Sequence, residues 1–262
     1  SYAVGCMFGR YSLEKPGLVS DQWSVVSDQL SVVSGQPAAG DSQLTTDHWP
    51  LTTDNRPLTT DNWSLTTFPP DRDNVLPILD GEWFADDIVE RCKRFLRVTF
   101  GEAHFTENLA FVEQALGRDL RGYFLRDFYD DHVRRYQKRP IYWLFSSPKG
   151  SFNALIYLHR YRPDTVSVVL NEYLRDFRSK LEAHKRHLEQ VSISATATAR
   201  EKSAAIKEIA RLDKSIAELT AYENEVLYPL ATQQVALDLD DGVKVNYRKF
   251  GKALRRIVGV SE

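Results

Sequence analysis

The chain of 262 residues is 42% hydrophobic and 27% charged, with 34 basic and 36 acidic side chains and a net charge of −2. Those proportions are ordinary for a globular protein with a core of its own, and they exclude a chain that coats nucleic acid by bulk charge, while a local basic patch remains allowed. Two cysteines, Cys6 and Cys92, are too few for a disulfide framework and wrongly spaced for zinc. The expectation is two reduced thiols in a cytoplasmic protein. No apolar run reaches the roughly 18 residues of a membrane helix, so no membrane partner is expected.

The chain opens on Ser1-Tyr2-Ala3-Val4-Gly5-Cys6, within an apolar run and without an initiator methionine or a signal-peptide core. This start reads as a cut through a longer protein. Residues 1–19 have the character of folded sequence, with Gly5, Gly9 and Gly17 marking turns. From Ser20 the chain repeats SDQWSVV, SDQLSVV, SGQPAAG, and from Leu44 it repeats LTTDHWP, LTTDNRP, LTTDNWS. A seven-residue period can signal a coiled coil, but recurrent proline and the lack of a second apolar position per unit oppose one. Seven residues are also too few for most solenoid repeats. Residues 20–69 are therefore expected to be a low-complexity insertion, extended or disordered. The alternative is a repeat that binds a partner through Trp23, Trp49 and Trp63.

Globular character resumes at Asn74-Val75-Leu76-Pro77-Ile78. A helix is predicted from near Trp83, with Ile88, Cys92, Phe95 and Leu96 at helical spacing. A second, capped by Thr106 and stopped by Gly117, carries Leu109, Val112 and Leu116 on one face. A third, from about Asp119 to Lys138, buries Leu120, Phe124, Phe128 and Val133 and turns Asp130, Asp131, Arg134 and Arg135 outward. Pro140 ends it. The β-branched and aromatic runs 141–145 and 152–158 flank the turn Ser147-Pro148-Lys149-Gly150 and predict a hairpin. Two long helices follow, with stripes Leu170, Leu174, Phe177, Leu181, Leu188 and Ala205, Ile209, Leu212, Ile216, Leu219. They are joined through the small residues 192–198 and expected to pack antiparallel. Asp238-Leu239-Asp240-Asp241-Gly242 is a turn, and residues 244–256 form a basic tail. The expected fold is mainly α with a small β-hairpin region (α+β). Its segments are 1–19, 20–69, 70–163 with the hairpin, and 164–262 with the helical hairpin and basic tail.

No catalytic set emerges from the residues. A Gly-x-Gly cofactor loop, an Asn-Pro-Pro-Tyr or Asp-Pro-Pro-Tyr motif, a Walker loop and an HExxH helix are all missing from the sequence. Ser146, Ser147 and Ser151 do not sit in a nucleophile elbow. His184 and His187 lack the carboxylate or cysteine that would complete a metal site. Asp130-Asp131-His132 reads as a solvated helix face, and Asp238, Asp240 and Asp241 lack the calcium-loop pattern. The expectation is no catalytic, cofactor or metal residue in this chain. Binding chemistry is better supported. Lys138 and Arg139 precede the hairpin, Lys149 sits in its turn, Arg160 and Arg162 follow it, and Tyr142 and Trp143 lie within it. Cations contact phosphates while hairpin side chains can meet base edges. The alternative is a half-buried hairpin with cations at its ends. Lys244, Arg248 and Lys249 of the tail are further candidates, against the alternative of pairing with acidic helices.

Several long words resemble one family. They are residues 1–13, Asn74 to Pro77, Trp83-Phe84, Asp87 to Arg91, Lys138 to Gly150, Tyr157 to Tyr161, Leu227 to Ala231 and Asp240 to Tyr247. Together they resemble the PglX family, the adenine-specific DNA methyltransferases of type 1 BREX phage-defence systems, similar in layout to type IIG restriction–modification enzymes. The resemblance spans about 1–19 and 70–260 and concerns the C-terminal part of the family. It implies, for a full-length protein, methyl transfer from S-adenosylmethionine to the exocyclic amine of adenine. The family's cofactor loop and catalytic motif lie upstream of Ser1, so no catalytic residue carries over, and the repeats stand where relatives have an acidic connector. Implied partners are double-stranded DNA and an upstream methyltransferase half or other BREX subunits. Relatives would use this region for target recognition and for contacts with the methylase core.

Overall fold

The computed structural model describes residues 2–12 and 68–261. The heptapeptide tracts, and the expectations about them, lie outside the described residues. The first helix, α1 (Tyr2–Met7), includes Gly5 rather than turning there, and the turn comes at Gly9 with φ +72. Val4, Met7 and Phe8 belong to the main core together with the sheet residues. Phe8 stacks on Tyr142 with ring centroids 5.2 Å apart. The Asp71 N–H donates to the Met7 carbonyl at 2.5 Å, and a Cβ on Gly9 would lie 2.9 Å from Pro70 Cβ. The chain on either side of residues 13–67 is thus bound together.

The helix expected from near Trp83 begins at Ile88 (α2, Ile88–Phe100), because Asp87 is the residue able to cap it: its carboxylate accepts from the Val89 N–H at 2.8 Å. Thr106 does not cap the next helix. A 3₁₀ turn, Glu102–His104, starts from Gly101 and leads straight into α3 (Phe105–Leu116), which Gly117 ends with φ +69. The single helix expected from Asp119 to Lys138 is two, α4 (Leu120–Arg126) and α5 (Phe128–Arg135), with the break at Asp127. The break reorients α5 so that Tyr129 and His132, besides Phe128, enter the core.

The hairpin forms as β2 (Tyr142–Ser146) and β3 (Asn153–Tyr157), in register Tyr142↔Tyr157 to Ser146↔Asn153. A third strand, β1 (Val75–Pro77), pairs with the other edge of β3, giving the antiparallel order β1-β3-β2. Sequence reading had no strand at β1, which is three residues long and ends in proline. Both sheet faces are covered, so the paired strands are buried rather than half-buried, and the turn Pro148–Gly150 is what reaches solvent. One face meets Phe8 and His132, and the other meets Tyr247, Phe250 and Phe177.

Two long antiparallel helices complete the body, as expected. The first, α6, runs through Thr165–Val168, a π-helical stretch Val169–Leu174, and Arg175–Ile193. The second, α7, runs through Ala199–Tyr222, a π-helical stretch Glu223–Leu227, and Tyr228–Gln233. Leu170, Leu174, Phe177 and Leu181 bury against a stripe that includes Leu212 and Leu219. Each such side chain contributes about 1.5–3 kcal/mol before the cost of ordering. Thr198 and Glu201 form a reciprocal capping box at the start of α7, which makes the end of the 192–198 stretch a helix start. The two π-helical stretches were not foreseen. At the second, buried Glu223 takes Arg175 at 2.7 Å and also Arg178. The hairpin tip is solvent-facing, and Ile193 is 82% exposed.

The basic tail is folded. A turn at Leu239–Asp241 leads into α8 (Gly242–Arg248) and a 3₁₀ turn, Gly251–Ala253. Leu254 then bridges to Phe145 in antiparallel sense, and the Arg255 N–H donates to the Leu144 carbonyl at 2.9 Å. Leu254 and Arg255 lie along the edge of β2, and the strap they begin continues to a turn at 258–260, held by buried Leu254, Ile257 and Val260.

Candidate nucleic-acid interface

The hairpin distributes its cations at two ends. A five-residue strand is about 17 Å long. Lys138 and Arg139 therefore enter at the end from which Arg160 and Arg162 leave, while Lys149 stands at the far turn. Lys149 is exposed, but its backbone is fixed. Glu218 on α7 accepts from the Lys149 N–H at 2.7 Å and from the Ser151 hydroxyl at 2.6 Å.

The two aromatic candidates are core residues. Tyr142 stacks on His132 at 4.8 Å as well as on Phe8, and burial pushes its phenol pKa up. Trp143 is 0% exposed, donates its indole N–H to the Pro140 carbonyl at 3.0 Å and meets Tyr247 and Phe250 edge-on. Neither presents a ring on which a base could stack. Arg160 is a strut: its guanidinium donates to the carbonyls of Asp71 at 2.9 Å, Phe8 at 3.3 Å and Arg72 at 3.4 Å. Arg162 is exposed.

His132 illustrates why α5 is not a solvated face. It follows Phe128 by one helical turn, on the buried side, and its Nε2 accepts from the Tyr142 N–H at 3.1 Å. Burial, with Arg10 and Arg135 nearby, pushes its pKa down to about 3, so the ring stays neutral and accepts. Asp130 and Asp131 are on the outer side, paired with Arg255 at 3.2 Å and Arg134 at 3.6 Å.

The corner after α5 is tight. Gln137 and Lys138 both take left-handed backbone angles (φ +49 and +63), held by the N–H groups of Lys138 and Arg139 donating to Val133 and Tyr136, each at 2.8 Å. Non-glycine residues adopt this conformation at a cost of about 1–2 kcal/mol. The strap passes this corner. A Cβ on Gly259 would lie 4.0 Å from Lys138 Nζ, and Arg248 Nε donates to the Val260 carbonyl at 3.3 Å. Lys138 thus comes near Gly259, and Arg248 holds the neighbouring Val260. Lys244 lies one turn before Arg248, on the same side of α8. Among the described residues, Lys138, Arg139 and Lys244 are exposed and take part in no ion pair. Lys249 is engaged with Asn246 at 2.9 Å and Asp241 at 3.4 Å.

A methyl donor finds no fit on the described groove between the long helices. That groove is open to solvent and lined by Glu182, Lys185, Arg186, Glu189, Asp213 and Ile216. Lys185 is paired with Asp213 at 2.5 Å, and an adenosyl group needs an enclosed, mostly apolar cleft. Among the described residues, no three histidine, cysteine or carboxylate side chains are placed to share a metal ion. No described helix is long and apolar enough to cross a membrane. Both cysteines are buried and unpaired, and burial pushes Cys92 up to about 11.

No family model matches the chain. Along its whole length it is 34% identical to the adenine-specific methyltransferase BrxX of Escherichia coli O9:H4 (strain HS), of which it covers 20%. Along 95% of its length it is 35% identical to the adenine-specific methyltransferase PglX of Lacticaseibacillus casei (strain Zhang), of which it covers 19%. The chain spans about a fifth of the length of these curated relatives.

Proposed function

The chain corresponds to part of the PglX family of adenine-specific methyltransferases, and we propose that it is a non-catalytic, DNA-engaging C-terminal portion of such an enzyme. In this reading S-adenosylmethionine and the target adenine are handled by other parts of a longer polypeptide that acts in BREX phage defence. The observation that carries the reading is the approach of Lys138 to Gly259 and of Arg248 to the next residue, Val260, with exposed Arg139 and Lys244 one residue and one helical turn away. An enzyme that swings a base out of the stack must anchor the flanking backbone, and cations on a rigid scaffold do that. Duplex binding by the intact chain, measured by fluorescence anisotropy at low salt, tests the reading. Lys138→Ala combined with Arg139→Ala weakens binding several-fold and flattens its salt dependence. Lys149→Ala, at the far turn, has a smaller effect. Unchanged affinity in the double variant would remove this surface from the argument.

A second reading has its own observation. Ile193 at the tip of the helical hairpin and Ile206 on α7, 60% exposed, are large apolar side chains turned to solvent. They suit an arm that docks on the upstream methyltransferase half or another BREX subunit. Retention of that half by the intact chain, lost with Ile193→Glu in the absence of DNA, supports this role.

A further inference from the structure

We infer that the surface formed by Lys138, Arg139, Lys244 and Arg248 grips the phosphates of duplex DNA without reading base sequence. The inference rests on the DNA-engaging reading above and limits it. Direct readout needs a helix or strand with a free face to lay against base edges in a groove. The hairpin is the element whose sequence suits that task, and its strands have no free face. Tyr142 and Trp143 are buried on opposite sides of the sheet, and Asn153, whose amide could have met a base, is buried and bonded to Ser146 and Gly150.

What reaches solvent beside the hairpin includes ammonium and guanidinium groups on two segments far apart in sequence, with the aliphatic side chains of Val245 and Val258, 50% and 66% exposed, beside them. The two segments are brought together by the strap that runs from Leu254 past Gly259. Asp130 and Asp131, the carboxylates of α5, are taken up by Arg255 and Arg134. Lys138 stands in a left-handed conformation that glycine would adopt without strain. A lysine there costs backbone energy and places a cation at the corner. Gln137, exposed beside it, is the one amide among residues 136–139 able to pair with an adenine edge, and it supplies the counter-test.

The test is anisotropy with the intact chain and ~20-bp duplexes of unrelated sequence, from about 50 to 200 mM salt, the range in which phosphate contacts dominate affinity. The expected result is affinities within about twofold across sequences. Lys138→Gly and Lys244→Gln each lower the salt slope by close to 1, near the ~0.9 expected per phosphate contact. Lys138→Gly leaves Tm unchanged or higher, which separates lost contact from lost fold. Gln137→Ala binds as the parent chain does. A preference of tenfold or more for one sequence, abolished in Gln137→Ala, overturns the inference while leaving the DNA reading intact, as does parental binding by both lysine variants. No duplex binding at the lowest salt defeats the DNA reading itself. Tighter binding of polyglutamate than of DNA at matched charge assigns the surface to an acidic protein instead and overturns the proposal.

Discussion

Glu218 and Lys149 join the helical hairpin to the β-hairpin: a carboxylate oxygen on α7 accepts the Lys149 backbone N–H at 2.7 Å. The second oxygen takes the Ser151 hydroxyl at 2.6 Å, so one side chain fixes the whole turn. Glu218→Ala is expected to cost about 1–3 kcal/mol in urea unfolding, the usual range for losing bonds to a charged acceptor. Lys149→Ala leaves both bonds in place, because the donor is main chain, and is expected to change stability by less than about 0.5 kcal/mol. Equal losses in the two variants would show that the Lys149 side chain, not the clamp, holds the turn.

Asn74 extends the β1–β3 ladder with its side chain. Its carboxamide donates to the Tyr157 carbonyl at 3.0 Å and accepts the Tyr157 N–H at 3.2 Å, both buried. The residue also takes φ +68, which asparagine tolerates better than most. Asn74→Ala loses both bonds and adds strain, for about 2–4 kcal/mol. Asn74→Gly keeps the backbone angle and is expected to lose somewhat less. If glycine restored parental stability, the conformation and not the pairing would be what matters.

His132 makes stability fall at acid pH. The folded ring holds its pKa at about 3 against an ordinary 6.5, so below about pH 6.5 the unfolded chain binds a proton that the folded chain refuses. Its contribution is complete above about pH 6.5 and declines by up to ~1.4 kcal/mol per pH unit toward pH 3. His132→Gln, which can still accept from Tyr142, is expected to flatten the acid limb relative to the parent. Parallel stability–pH curves would exclude His132 as its source.

Asp71 acts with the opposite sign. Burial, and then the adjacent Asp73, raise its pKa to about 7, so the folded chain holds a proton that the unfolded chain releases above about pH 4. Stability from this group is present below about pH 4 and is lost as pH rises toward 7. Asp71→Asn keeps the oxygen that accepts from the Val75 N–H at 3.2 Å and carries no charge. It is expected to be more stable than the parent at pH 7–8 and closer to it at pH 4–5. A variant less stable at both ends would mean that the carboxylate charge itself, facing Arg91, is needed.

What could be read in advance was what depends on neighbours along the chain. The leucine stripes of α6 and α7 repeat at three and four residues and declare a buried face wherever they pack. The turn Ser147-Pro148-Lys149-Gly150 between two β-branched and aromatic runs declares a hairpin, and Gly150 does take φ +75. The Thr198–Glu201 capping box is legible in the residues as a Thr-x-x-Glu word at the end of the small-residue stretch 192–198. His132, one turn after Phe128, could likewise have been placed inside by periodicity, had the charged residues around it not suggested a solvated helix.

Local pattern alone determined the two long helices, the hairpin and the likeness to the methyltransferase family, because each is written in spacing or in contiguous words. Only tertiary structure decided which candidate residues face solvent. Burial depends on what packs from elsewhere: Phe8 and α5 cover Tyr142, Tyr247 of α8 and Phe250 after it cover Trp143, and Arg160 is consumed in tying residues 8, 71 and 72. The cationic surface is the same case in reverse. Lys138 and Arg248 become neighbours because Leu254 pairs with Phe145 and draws Gly259 to the corner, a contact between distant segments that no local pattern encodes.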